Sequence, residues 1–442
     1  MGGKPVFAEE MTHMPRSPSN FMKDISWVFS GNAMSQLIAL MALPLLSRIF
    51  SPSDFAVQNL FTQIIAFATV AVTWRYEYFI ALPDTNENAQ AIKKLVFILA
   101  LISTVIGTPL LWIFREPLAG WLGEPEMASY LPMALASAAL LSVALVLQNM
   151  SQRDQNFRLS SLSEVASKIG YVGAALAGGW LIAGPWGLLV AAAIGAVAKI
   201  SVLAFGQTEQ HKQHHPMQNL RAIPRVMHFY RHLAGSMSLS HIFMALTGLI
   251  PSVFIAHTHG KEILGQYALV AATLFLPSAL LGSAMGQVFY QRAAASWARR
   301  ENFIGLWMRA VRWLLLIGIP FYFLVWLISD WVYPFVFGAT WSMAGAFATL
   351  LVPAAFFSFL TSPLDRGCLV VGAWKYVLAW HSFRACSTAA VALLSLFLGW
   401  SVEWFLICLS TQMCFCYLID FWAGHIFASQ QPTIGATKIQ PI

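Results

Sequence analysis

The residues best suited to chemistry in this sequence lie where charge is least at home. The stretch WRYEYFIALPD, residues 74 to 84, follows an apolar run from Phe55 that is long enough to cross a bilayer, and it carries Arg75 and Glu77 before Pro83. With Pro83 as the inner end of that helix, Glu77 lies about 9 Å deep and Arg75 about 12 Å at ~1.5 Å per residue. Charge at such depth calls for a partner on a neighbouring helix or for a watery cavity. At two positions apart on a helix the pair falls on nearly opposite faces, so the two are not expected to neutralise each other. Arg384, in YVLAWHSFRACSTAA, sits about 13 Å in from Lys375, near the midplane, with His381 just below. A guanidinium is permanently charged and presents a fork of donors suited to phosphate oxygens. A bond from Arg384 to backbone carbonyls or to Asp365 is the structural alternative. Arg48, at the outer end of the first helix, either extends a basic route across the membrane or anchors the interface.

Smaller polar groups add to a wet interior. Asn32 and Gln36 stand one turn apart in the first helix, and Ser236 and Ser240 match that spacing in the seventh, next to His241. Such stripes also serve as glue between helices. The sequence holds no GxxxxGK[ST] phosphate loop, no HExxH zinc helix and no GxSxG elbow. His211, His214 and His215 have loose metal-like spacing but no cysteine or acid at ligand spacing, and read as a solvated loop. The five cysteines form no CxxC pair and read as packing residues.

The elements that must position these residues are transmembrane helices. Of 442 residues 58% are hydrophobic and 10% charged, more apolar surface than a soluble chain of this length can hide. Apolar windows between polar breaks predict twelve helices, at about 24–49, 55–82, 92–114, 129–149, 162–182, 185–205, 233–257, 263–288, 306–329, 343–364, 376–398 and 401–424. This divides the chain into an N-terminal segment (1–23), a first six-helix lobe (24–205), a linker (206–232), a second lobe (233–424) and a tail (425–442). With the N-terminus inside, Lys93, Lys94, Arg153, Arg158, Arg225, Arg231, Arg299, Arg300, Arg366 and Lys375 all fall inside, and only Arg48, Arg115 and Lys261 outside. The net charge of +7 is therefore a topology signal that requires no nucleic acid. Both termini are expected in the cytoplasm.

An internal repeat is visible. The first helix ends ALPLLSRIFSPSDFAVQNLF with Pro44 shortly before its outer end, and the seventh ends GLIPSVFIAHTHGKEILGQYALV with Pro251 placed likewise. Two halves of six helices starting on the same side make a parallel repeat, with a cavity expected between the lobes. Pro44 and Pro251 are either packed kinks or hinges for the lead helices.

The run LSRIFSPSDFAVQNLF, then RYEYFIALPD, the basic pair in AIKKLVF and the later SPLDRGCLVVGAWKYVL resemble the polysaccharide-biosynthesis flippases of the MOP superfamily, the O-antigen or Wzx-type proteins. Ala56 stands where members usually carry glycine. The resemblance implies an all-α integral membrane fold of two six-helix lobes. It also implies transport of a polyprenyl-pyrophosphate-linked oligosaccharide to the outer leaflet of a bacterial inner membrane, with no cofactor beyond a coupling ion, proton or sodium. Membrane lipids, a polysaccharide polymerase and glycosyltransferases are the further partners it implies. The resemblance maps the family's basic cavity first onto Arg75 and Arg384 and only then onto Arg48. A multidrug exporter of the same superfamily is the nearest rival, but it should favour acids where this chain buries arginine. A membrane-embedded polymerase or ligase should need a large outer loop, and none occurs. Reporters fused after Lys94, Arg158, Arg225, Arg300 and Lys438 should report cytoplasm, and those after Glu126 and Gly260 the outside; opposite results at Arg225 and Arg300 would break this topology.

Overall fold

The computed structural model describes residues 18–83, 85–182, 184–207 and 222–431, and among these it contains helices and no strand. In chain order they are α1 (Pro18–Ile49), α2 (Pro52–Thr73), α3 (Asn86–Trp121), α4 (Leu131–Arg153), α5 (Phe157–Leu181), α6 (Trp186–Gln207), α7 (Ile223–His259), α8 (Lys261–Leu274), α9 (Leu276–Ala298), α10 (Ile304–Phe337), α11 (Ser342–Thr361), α12 (Gly367–Val370), α13 (Trp374–Leu398) and α14 (Val402–Ser429). The twelve expected passes appear in the expected order, the eighth split into α8 and α9 at Phe275. Eleven stretches among the described residues are long and apolar enough to cross a membrane alone. The exception is α5, which carries Glu164 and Lys168 and lies between α1 and α6.

Several boundaries differ from the sequence expectation: α3 and α10 run longer than the expected 92–114 and 306–329, and three other differences bear on the site. The second helix stops at Thr73 instead of running to residue 82. The segment read as linker is helical from Ile223, because Pro224 falls in a first turn, where its missing N–H costs nothing. The last helix continues to Ser429, into the expected tail. The histidines at 211, 214 and 215, the rest of the linker and most of both terminal segments lie outside the described residues.

The repeat is written in the packing. In the first lobe α1 packs on α5, α2 on α4, α3 on α4, α4 on α6 and α5 on α6. The second lobe repeats these pairings as α7 on α13, α8 on α11, α10 on α11, α11 on α14 and α13 on α14. The lobes meet along α2 against α7 and α8, with α3 against α7 and α1 against α9 and α10.

Helix direction gathers Lys93, Arg153 and Arg300 at one end, the basic end, and the turns at Ser51, Gly123, Gly260 and Gly338 at the other, the far end. At the far end the lobes close on each other. Trp341 Nε1 donates to Ser47 O at 3.0 Å, and Ser47 Oγ lies 3.0 Å from Phe337 O. The Trp341 ring meets Phe55 edge-on at 5.1 Å. Lys261 Nζ reaches from the second lobe to Glu126 at 2.9 Å and Glu124 at 3.6 Å. Burial pushes the Glu124 carboxyl above its usual range, with Lys261 pulling the other way.

Chain entry into α2 at this end is fixed by a capping box. Ser51 N–H donates to Asp54 Oδ2 at 2.9 Å, and Asp54 N–H returns a bond to Ser51 Oγ at 3.2 Å, with Pro52 in the first turn. Gly265 of α8 then lies flat on Pro52, where a Cβ would overlap the proline carbonyl. Overpacking of this kind costs about 1–3 kcal/mol. Gly265→Ala should therefore lower the thermal stability of the purified protein, while Gly305→Ala, with nothing within 4 Å of its would-be Cβ, should not.

Candidate functional site

The charged pair at the end of α2 is built by a break in the backbone. After Thr73 the chain turns left-handed twice, at Trp74 (φ 49°) and Arg75 (φ 58°), then forms a short 3₁₀ turn over Tyr76–Phe79. Two consecutive non-glycine residues at positive φ are costly and persist only where the surroundings hold them. Asn149 Nδ2 donates to Glu77 O at 2.9 Å and Arg153 Nη1 to Ile80 O at 3.2 Å, so α4 supplies the donors this turn lacks. From α7, Met227 O accepts from Tyr76 Oη at 3.1 Å and Tyr230 stacks on Phe79 at 5.1 Å.

The break overturns one expectation. Arg75 and Glu77 are not on opposite faces: Arg75 Nη1 meets Glu77 Oε1 at 3.2 Å, with both side chains more than nine-tenths buried. The opposite-face argument presumed helix through Trp74, and the left-handed residues remove that premise. The pair is incompletely satisfied, since Arg75 Nε and Glu77 Oε2 have no hydrogen-bond partner among the described residues. Those two atoms retain capacity for another polar group.

The structure joins this pair to the second lobe. The guanidinium lies 5.6 Å from the centre of the Tyr78 ring, and Tyr78 packs on His241 of α7 at 5.3 Å. His241 holds Met237 O through Nδ1 at 2.8 Å and lies within electrostatic reach of Arg75. His241 and Arg384 in turn both act on His381 of α13, whose buried Nδ1 has no partner among the described residues. Contacts thus link Arg75, Glu77, Tyr78 and His241, and His381 and Arg384 of α13 continue this polar track within electrostatic reach of His241. The structural alternative, a bond from Arg384 to Asp365 or to backbone carbonyls, is absent among the described residues. Arg384 instead donates to Tyr417 Oη at 3.4 Å and stands over the rings of Tyr417 (5.2 Å) and Trp380 (5.8 Å).

Other expected members stand apart. Arg48 is exposed in the last turn of α1, at the far end, away from Arg75 and Arg384. Asn32 and Gln36 are half-buried on α1 with no hydrogen bond to the track among the described residues. Pro44 and Pro251 lie within unbroken helices, and Pro251 is buried. The neighbours that sequence reasoning missed are Tyr78, Trp380 and Tyr417, which carry no signal in an aromatic-rich chain. It also passed over Asp420, an acid inside the apolar run CFCYLIDFW. Scanning apolar helices for single acids would have found it.

With this geometry in hand, the comparisons define a class. The fold is similar to that of a lipid II flippase, MurJ, in an inward closed conformation (TM-score 0.69, 13% identity, 90% of each chain). It is also similar to an inward-facing multidrug resistance MATE family transporter of the MOP superfamily (TM-score 0.61, 13% identity, 95% of this chain and 96% of that one). A MOP superfamily transporter from Pyrococcus furiosus, described as having a binding pocket of reverse polarity, aligns at TM-score 0.54 with 15% identity over 92% of this chain and 94% of that one. The family described as polysaccharide biosynthesis protein matches residues 45–345, and the chain belongs to that family. Among curated relatives, the succinoglycan biosynthesis transport protein ExoT of Rhizobium meliloti (strain 1021) is 23% identical over 323 residues. That match takes in 73% of this chain and 63% of the relative's length.

Removing one partner of a buried ion pair costs about 3–5 kcal/mol, whereas replacing both by apolar residues is often close to neutral. Arg75→Met and Glu77→Met should each lower the unfolding temperature of the purified protein sharply, and the double replacement should recover most of the loss. A double variant as unstable as the sum of the singles would show that the two charges are not coupled.

Proposed function

We propose that this protein is a flippase that moves a polyprenyl-pyrophosphate-linked oligosaccharide from the inner to the outer leaflet of a bacterial inner membrane, for O-antigen, capsule or exopolysaccharide assembly. The observation that carries the reading is the track between the lobes. Arg75 is buried with its Nε unpartnered, and Arg384 has no carboxylate within ion-pairing distance among the described residues. Both guanidiniums are flanked by aromatic rings, Arg75 by Tyr78 and Arg384 by Trp380 and Tyr417. Two such donors fit a pyrophosphate, whose oxygens accept paired N–H groups. The flanking rings offer apolar faces to a prenyl chain or sugar ring. On this reading the chain is a transporter and not an enzyme.

The movement is alternating access of the two lobes. The far-end closure through Trp341, Ser47, Phe55 and Lys261 is the outer gate, closed here, and the basic end faces the cytoplasm. Substrate phosphate meets Arg75 at the end of α2, and Arg384 takes it as the lobes rock. Pro44 and Pro251, each in the lead helix of its lobe and near the gate, are the bending points. Glu77 holds Arg75 in place until phosphate competes for it.

The rival multidrug exporter draws on the acids Glu77, Asp365 and Asp420. Glu77 is already neutralised by Arg75. Both aspartates lie within the field of Arg384, which disfavours an organic cation there.

In a deletion strain, Arg384→Ala should abolish polysaccharide export at unchanged folded protein. Arg384→Lys should keep part of it, since charge survives while the donor fork is lost. The lipid-linked sugar should then accumulate in the inner leaflet. Normal export by Arg384→Ala at equal protein level would contradict the assignment. The Arg75→Met/Glu77→Met chain adds a second check, because it should fold and fail to export.

A further inference from the structure

The second lobe holds a cluster that the phosphate track does not use. At the basic end a small cavity is lined by Trp307 of α10, Asp365 and Cys368 of the α11–α13 connection, Tyr376 of α13, and Asp420 and Gly424 of α14. The carboxyls of Asp365 and Asp420 border the same small cavity, close enough to interact with each other. Two carboxylates in contact cannot both keep their charge, and a bond between them needs a proton on one. Tyr376 Oη donates to Asp420 Oδ1 at 2.6 Å, which fixes one oxygen of the pair. Asp365 is solvent-exposed, so water can reach it.

An independent feature points to what fills the space. Trp307 is 2% exposed, and its Nε1–H, a donor with no acceptor among the described residues, borders the cavity. Gly424, one turn beyond Asp420, keeps that N–H clear, since a Cβ there would come within 3.3 Å of Nε1. A buried donor without a partner calls for an acceptor, and the cavity has room for about one water.

We infer that Asp365 and Asp420 form a proton site: the pair holds one proton, and a single water bridges it to Trp307 Nε1–H. Uptake converts one carboxylate to a carboxylic acid whose O–H bonds the other; release returns the proton to cavity water by way of Asp365. A metal ion suits the site poorly. A hard cation takes several oxygen ligands, whereas here Tyr376 and Trp307 present donors and the space is that of one water. The charged and titratable neighbours are Arg366 and Cys368 on the connection, Tyr376 and Arg384 on α13, and Tyr417 and His425 on α14, the last edge-on to Trp307 at 5.3 Å. Arg384 acts on both aspartates, so the charge of the pair and the hold of Arg384 on an anion change together. That link to transport rests on the flippase reading; the proton site itself does not.

The test is infrared difference spectroscopy of the full chain in lipid nanodiscs, titrated with pH and separately with sodium chloride. A protonated-carboxyl band should vanish as pH rises, be absent from both Asp365→Asn and Asp420→Asn, and be unmoved by sodium at constant pH. Trp307→Phe, which keeps an aromatic side chain but loses the N–H and the second ring of the indole, should shift the band without abolishing it. No such band, a band that survives both asparagine variants, displacement of the band by sodium, or an unshifted band in Trp307→Phe would overturn the inference. The measurement needs no transported substrate, so its failure would leave the flippase reading standing. A failed export assay with the band intact would contradict that reading alone.

Discussion

A guanidinium that cannot lose its charge, held more than nine-tenths buried beside a carboxylate, is the constraint around which this molecule is arranged. Arg75 and Glu77 meet only because α2 breaks at two left-handed residues, and that backbone stands only because other elements satisfy it. Asn149 and Arg153 of α4 supply donors to the broken turn, and Met227 and Tyr230 of α7 close over its aromatic side. The first lobe and the first helix of the second are thus tied together at one charged pair. The far-end closure then sets the angle at which the lobes present that pair to each other.

The second lobe repeats the packing of the first but not its electrostatics. Arg384 sits on an uninterrupted helix and is steadied by Tyr417 and Trp380 instead of a contacting carboxylate. Its acids Asp365 and Asp420 are set apart at the basic end, bordering one cavity, with Tyr376 bonded to Asp420. Duplicated helices therefore carry two solutions to charge in an apolar setting, a neutralised pair in one lobe and a cation beside a titratable pair in the other.

Much of this was legible from residue types alone. Lipid demands long apolar helices with their own backbone bonds satisfied, so the twelve passes, their order and the parallel repeat follow from apolar windows and basic loops. Arg75, Glu77 and Arg384 stood out as charges in apolar stretches, but the depth reckoned for the first two assumed helix to Pro83, and α2 ends at Thr73. What composition does not carry is backbone geometry. Nothing in WRYEYF announces positive φ at Trp74, and without it the pair falls on opposite faces. The helical start of α7 at Ile223 was hidden by polar residues that a tertiary contact pulls into helix; Val226 and Tyr230 pack on the first lobe there. Arg48, read from its charge either as part of a basic route or as an interfacial anchor, is exposed at the far end. The aromatic partners Tyr78, Trp380 and Tyr417 become meaningful only once the chain is folded.

The central claim is that Arg75 and Arg384 hold the substrate's pyrophosphate in turn. Binding of a polyprenyl pyrophosphate to the full chain in nanodiscs, compared between wild type and Arg384→Met across a salt series, tests it most directly. The account predicts binding that weakens with salt in the wild type and falls at least tenfold (about 1.4 kcal/mol) when the Arg384 charge is removed. Equal affinity in the two proteins, or affinity indifferent to salt, would contradict it.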